Sequence, residues 1–251
     1  MDVARYLKRI GFQGKPTTTL DTLRCLQKAH LMTVPFENLD IHIGRQIILD
    51  TDRIFEKVVH NNRGGFCYEL NGIFHFLLKE IGFEVTRISA RVFSEENGLG
   101  PEYDHLTNLV NVDGKQYLTE VGYGEFALFP LEFALGQTQI DPRGKFVFEN
   151  HDDHYFIVKK VLEDKVNPEY LFTTLERTYT EYIPMCYYMQ THPDSHFVKK
   201  RLCTIPTDDG RITITGDTLK IKIGKETTEI PIRNDEHYNK ILKDHFNIIL
   251  D

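Results

Sequence analysis

The apolar residues of this chain change period once, and that change divides it. Up to Gly82 they recur at three- and four-residue spacing: Val3, Tyr6, Leu7 and Ile10; Leu20, Leu23 and Leu26; Ile54, Phe55, Val58 and Val59; Leu70, Ile73, Phe74, Leu77, Leu78 and Ile81. Each stripe predicts an amphipathic helix. Thr19 and either Asp50 or Thr51 supply N-caps, and Gly11 and Gly82 stand where helices end. From Val85 onward the pattern alternates, with Thr86, Ile88, Ala90 and Val92 against Val85, Arg87, Ser89 and Arg91, which is strand spacing. More strand-like runs cover 105–112, 115–121, 145–148, 155–160 and 170–174, then 211–215, 217–223 and 226–232, before a last helix at 236–246. The expected fold is α+β. It has a helical bundle over 1–84, a central antiparallel β-barrel over 85–190 and a mixed α/β cap over 191–251. The segment 34–39 reads as an ordered connection broken by Pro35, and 94–104 as a polar loop.

Composition narrows the function. The 251 residues are 41% hydrophobic and carry a formal net charge of -7, which argues for a globular chain and against a nucleic-acid partner. No apolar run approaches the roughly 20 residues that span a bilayer, and the N-terminus lacks a signal-peptide core. The expected location is therefore the cytoplasm, with no membrane partner. Cys25, Cys67, Cys186 and Cys203 are scattered without a CxxC, as befits free thiols in a reducing compartment. Lys199-Lys200-Arg201 is the one basic cluster; it reads as solvated surface or as a small anion site for nucleotide phosphates. The histidine clusters at 151–154 and 192–196 do not predict a metal site. The first falls in a polar turn, and Pro193 breaks the helical spacing of the second.

Chemistry concentrates at Asn62-Arg63-Gly64-Gly65-Phe66-Cys67-Tyr68-Glu69. A glycine pair admits close neighbours, and Cys67 follows in the first turn of a helix. Unpaired N–H groups and the positive end of the macrodipole there favour a thiolate. A base is available downstream. Asp113-Gly114 between two β-prone runs is a strong hairpin signal. Taking it as a two-residue turn pairs Val112 with Lys115, Thr107 with Glu120 and His105 with Gly122. His105 and Glu120 then share a face as diagonal neighbours, a carboxylate–imidazole pair. If that pair meets Cys67, His105 takes the thiol proton and Glu120 fixes the tautomer and stabilises the imidazolium.

Four blocks resemble the arylamine N-acetyltransferases: Arg63 to Glu69, Val34-Pro35-Phe36-Glu37-Asn38, Asp104-His105, and Tyr117-Leu118-Thr119-Glu120-Val121-Gly122-Tyr123-Gly124. The resemblance implies a Cys-His-acid triad at Cys67, His105 and Glu120, with glutamate where the family almost always has aspartate. It implies ping-pong transfer from acetyl-CoA, as co-substrate, to aromatic amines or hydrazines through an acetyl-Cys67 intermediate, with no metal. By motif position Phe36 and Phe126, with Tyr68 and Phe93, wall the acceptor pocket. Gly122 and Gly124 stand beside the site, and Lys199, Lys200 and Arg201 are the choice for the CoA phosphates.

Residue patterning alone leaves other readings open. A thiol hydrolase or transglutaminase-like enzyme orders cysteine, histidine and acid in the same way. An amide synthase would use the same constellation. A CoA- or aromatic-ligand-binding protein would result if Glu120 had broken the triad.

Overall fold

A computed structural model describes residues 2–94, 98–163 and 165–250. Its helical part consists of Val3–Arg9, Leu20–Thr33, Thr51–Phe55 and Cys67–Ile81. Their stripes meet in a core that includes Tyr6, Leu23, Val58, Phe74 and Leu77. The expected caps form: Thr19 Oγ1 accepts from the Thr22 N–H at 3.3 Å and Asp50 Oδ1 from the Arg53 N–H at 2.9 Å. Gly82 closes the Cys67 helix with φ of 107°, a conformation in which a Cβ is strained. One feature departs from the periodicity. The third helix widens into a π-helical turn, Glu56–His60, which carries Lys57.

The barrel is a nearly closed antiparallel sheet. Its spatial order is Leu131–Glu132, Lys115–Thr119, His105–Val112, Glu84–Ser94, Val166–Phe172, Phe156–Val161, Gly144–Asn150 and Gln139–Asp141. Ile88, Leu109, Phe146, Phe148 and Phe172 pack on one of its faces. Asp113 and Gly114 both take positive φ, 52° and 77°, as a type I′ turn requires. They set the expected register, Val112 opposite Lys115 and Asn111 opposite Gln116. The second hairpin strand ends at Thr119 rather than at Val121. Beyond it the Val121 N–H turns to Asn71 Oδ1 of the Cys67 helix, at 2.9 Å, instead of to the ladder.

The C-terminal sheet orders Phe36–Glu37, Leu202–Thr207, Gly210–Thr215, Thr218–Ile223 and Glu226–Pro231, with helix Asp235–Phe246 packed on it through Tyr238, Leu242 and Phe246. Phe36–Glu37, expected as a connection, is a strand paired with Thr204 and Cys203. Two residues are too few to show a period, so sequence spacing does not reveal it. Ile183–Thr191 is likewise a helix without a clear apolar stripe, started by Pro184 in its first turn. Part of the expected polar loop, Gly98–Leu99, pairs back onto Phe93 and Ser94.

Candidate active site

The mouth of the Cys67 helix is fixed by charge as well as by packing. Phe66 is its N-cap, and Glu69 reaches back so that Oε2 accepts from the Phe66 N–H at 3.1 Å. Glu69 Oε1 also takes Lys57 Nζ at 2.8 Å. Lys57 meets Asp40 at 2.8 Å, and Arg63 bonds both Glu37 and Asp40 at 2.9 Å. Two cations and three carboxylates thus share one buried cluster. Burial lifts the Glu69 carboxyl to about 7, and Lys57 offsets part of that lift. The glycine pair is needed for space: a Cβ on Gly64 would overlap the Pro35 carbonyl, and one on Gly65 would lie 2.7 Å from Glu69 Oε2.

Against this helix start the barrel brings its hairpin. His105 Nε2 and Glu120 Oε2 lie 2.7 Å apart, and Cys67, His105 and Glu120 are 3%, 2% and 1% exposed. The expected carboxylate–imidazole contact is therefore present, although the ladder stops at Asn108 opposite Thr119, short of the expected Thr107–Glu120 and His105–Gly122 pairs. Glu120 is held at both oxygens. Oε1 accepts from Asn71 Nδ2 at 2.5 Å and from the Gly122 N–H at 2.8 Å, while Oε2 serves His105 and also takes the Tyr170 hydroxyl at 3.5 Å. Tyr123 and Tyr170 each place a ring 5.3 Å from the imidazole. Cys67 Sγ lies 3.9 Å from the carbonyl oxygen of Asp104, the residue before His105. A Cβ on Gly122 would stand 2.8 Å from Cys67 Cα, so this glycine permits the loop after Glu120 to touch the helix.

The electrostatics correct one expectation. Burial pushes the Cys67 thiol well above its usual range, a backbone hydrogen bond from Leu106 opposes this, and nearby Glu120 adds to the rise. The helix start does not by itself yield a thiolate. A first-turn dipole contributes roughly 0.3–1 kcal/mol. Full burial moves a titrating group by up to about 3–5 pKa units, at roughly 1.4 kcal/mol each. Desolvation wins, and only an adjacent base that becomes a cation on taking the proton reverses it.

The expected pocket residues separate. Phe126 stacks on Tyr170 at 5.6 Å and so joins the ring cluster around His105. Tyr68 is wholly buried, its hydroxyl donating to the Tyr103 carbonyl at 2.8 Å. Phe36 is half-buried against Phe197, with rings 6.1 Å apart. Phe93 lies on the strand opposite Leu99, half-buried. Gly122 makes a close approach as expected; Gly124, with φ of 90° and open space around it, is a turn glycine. In the basic cluster, Arg201 pairs with Asp217 at 2.7 Å and lies over Tyr238, while the Lys200 carbonyl accepts from Asn38 Nδ2 at 2.9 Å. Among the described residues, no group of three His, Cys, Asp or Glu is placed to hold a metal.

Sequence reasoning passed over Asn71, Tyr123, Tyr170 and Gln27, whose Oε1 accepts from the Glu120 N–H at 3.1 Å. Asn71 had a signal: it stands four residues from Cys67, on the same helical face, amid apolar neighbours. Tyr170 had none, because the strand that carries it meets His105 only through the barrel.

The comparisons agree with this geometry. A family model described as N-acetyltransferase matches residues 19–251. A pineal-gland arylamine N-acetyltransferase isozyme of Gallus gallus is 33% identical over 100% of this chain and 95% of its own length. The Mycobacterium marinum arylamine N-acetyltransferase in complex with CoA superposes with a TM-score of 0.89 at 29% identity, covering 98% of this chain and 93% of that one. A Bacillus cereus arylamine N-acetyltransferase, described as revealing a unique Cys-His-Glu catalytic triad, superposes with a TM-score of 0.92 at 27% identity over the whole of both chains. By its sequence and fold the chain belongs to the arylamine N-acetyltransferase family of acyltransferases.

Proposed function

We propose that the protein acetylates aromatic amines and hydrazines from acetyl-CoA, by a ping-pong mechanism through acetyl-Cys67. The observation that carries this reading is the buried His105–Glu120 pair, 2.7 Å long, with His105 at the start of a strand that faces the Cys67 thiol and Glu120 just past the end of the neighbouring one. With Nε2 given to Glu120, Nδ1 is the ring nitrogen left for the thiol. His105 takes the Cys67 proton and Glu120 stabilises the imidazolium. The thiolate then attacks the acetyl carbonyl, the carbonyl–sulfur bond to CoA breaks, and His105 returns the proton to the leaving thiolate. In the second half the amine nitrogen attacks acetyl-Cys67, His105 accepts the amine proton, and the Cys67 thiol is restored. Backbone N–H groups at the helix start stabilise the oxyanion in both halves.

The glutamate supports this mechanism because both its oxygens are held, as described above. The Cys-His-Glu description of the Bacillus cereus relative adds to that support. The near-complete burial of Cys67 suits a transferase, which must keep water from its acyl-enzyme. Initial rates with acetyl-CoA and an arylamine both varied test the reading. Parallel double-reciprocal lines are expected; intersecting lines, or acetyl-CoA hydrolysis unaffected by the amine, would contradict it.

A further inference from the structure

Glu120 stands where its strand has already ended. Strand Lys115–Thr119 stops one residue before it, so the Glu120 N–H has no place in the ladder. From there to Ala127 the chain is a loop that carries the close-approach Gly122, the Tyr123 ring beside His105 and the Phe126 ring stacked on Tyr170. Glu120 and Ala127, at its two ends, are both buried. Buried backbone groups outside a ladder need partners from elsewhere.

One side chain of the helical bundle supplies them at both ends. Gln27 lies on helix Leu20–Thr33, wholly buried on the same face as Leu23 and Leu26. Its Oε1 accepts from the Glu120 N–H at 3.1 Å, and its Nε2 donates to the Ala127 carbonyl at 3.4 Å. A buried amide is costly unless it is paired, and an apolar side chain of the same length would fill this space. Its pairing therefore matters to the loop rather than to the helix. The loop's acid has a particular need of it. A glutamate has one more rotatable bond than an aspartate, so its carboxylate keeps a fixed place only if the backbone it hangs from is fixed as well. Asn71 and the Gly122 N–H hold Oε1, and Oε2 meets His105. Gln27 holds the other end of the same residue.

We infer that Gln27 is a positioning residue for the reaction: by tying both ends of the 120–127 loop to the helical bundle, it sets where Glu120, and through it His105, stands relative to Cys67. The inference rests on the acetyl-transfer reading above. Gln27 acts through the Glu120 backbone. A Gln27 that served the fold alone would change the melting temperature and leave the chemistry unmoved.

The test follows acetylation of Cys67 by acetyl-CoA in stopped flow and alkylation of Cys67 by iodoacetamide across pH. Gln27→Met fills the same space without either bond. Its acetylation rate at saturating acetyl-CoA should fall on the order of tenfold, since a misplacement of about 1 Å can cost a hundredfold. The half-saturating acetyl-CoA concentration should not change. The pH midpoint of alkylation should rise, because an imidazolium less well stabilised by Glu120 holds the thiolate less well. Gln27→Glu should restore the acetylation rate at about pH 6, where burial keeps the carboxyl protonated and it offers both the acceptor and the donor of the amide. Gln27→Asn, one methylene too short to reach both ends, should behave as Gln27→Met and replaces it if the methionine variant does not fold. An unchanged rate and midpoint in Gln27→Met or its replacement, or a loss of rate that Gln27→Glu shares in full, would overturn the assignment while the acetyl-transfer reading stands. Failure of the unaltered protein to form acetyl-Cys67 would overturn that reading and this one together.

Discussion

Glu120 carries the departure from the family's usual acid, and its surroundings explain how the longer side chain fits. Asn71 and the Gly122 N–H hold one oxygen while the other meets His105. A side chain one methylene shorter cannot span both sets, so Glu120→Asp should lower the rate of Cys67 acetylation about tenfold. Glu120→Gln, which removes the charge that stabilises the imidazolium, should lower it by two orders of magnitude or more; stopped-flow acetylation measures both. Asp104 gives a pH prediction. Burial raises its carboxyl from the ordinary 3.8 to about 7, against a bond from the Val92 N–H. A carboxyl raised in the folded state stabilises fully below its unfolded value, and that contribution is lost as pH rises through the folded one. The melting temperature of the unaltered protein, relative to Asp104→Asn, should therefore fall steadily from about pH 4 and level off above about pH 7. At this scale the helix-start position of Cys67 and the contact of His105 with Glu120 were legible from spacing, while their union in one triad was implied only by the family resemblance. The thiol's raised proton affinity was not, because desolvation depends on what covers Cys67, and spacing says nothing of that.

Among the elements, the start of the Cys67 helix depends on three segments distant in sequence. Glu37 comes from the short strand after Pro35 and Asp40 from the one-turn helix Leu39–His42 that follows it, Lys57 from the π-helical turn, and Arg63 and Glu69 from the helix mouth. Such a cluster is weak evidence for stability as a whole, but removing one member leaves a buried charge unpaired. Lys57→Met should therefore cost about 3 kcal/mol and lower the melting temperature by roughly 6–12 °C in calorimetry. A change within a degree would show that the cluster's carboxylates find other partners or take up protons. The family blocks around Glu37 and Arg63 were visible in the sequence as motifs. Their physical reason was not: an ion pair across 26 residues leaves no local periodicity. Helix and strand types were legible wherever an apolar period ran for several residues. They were not legible for Phe36–Glu37 or Ile183–Thr191, where pairing or packing from elsewhere decides.

At the scale of the whole molecule, the site exists only where helices, barrel and C-terminal sheet meet. Cys67 comes from the first, and His105 and Glu120 from the second. Asn38 ties in the third by bonding the Phe197 and Lys200 carbonyls and the Leu202 N–H. Gly122 sets the closest approach of barrel to helix. Gly122→Ala would place a Cβ 2.8 Å from Cys67 Cα, so the loop after Glu120 must shift. We expect a folded protein with unchanged far-ultraviolet circular dichroism and Cys67 acetylation slowed at least tenfold, since triad geometry tolerates displacements of only about half an ångström. The meeting of the three parts was inferred from the family resemblance and not from spacing, which orders residues along a chain and not across one. The most direct measurement of the central claim is the intact mass of the protein after mixing with acetyl-CoA and no acceptor. The account predicts a gain of one acetyl group on the unaltered protein, none on Cys67→Ser, and a slow gain on Glu120→Gln. No gain on the unaltered protein, or a gain that survives Cys67→Ser, would contradict it.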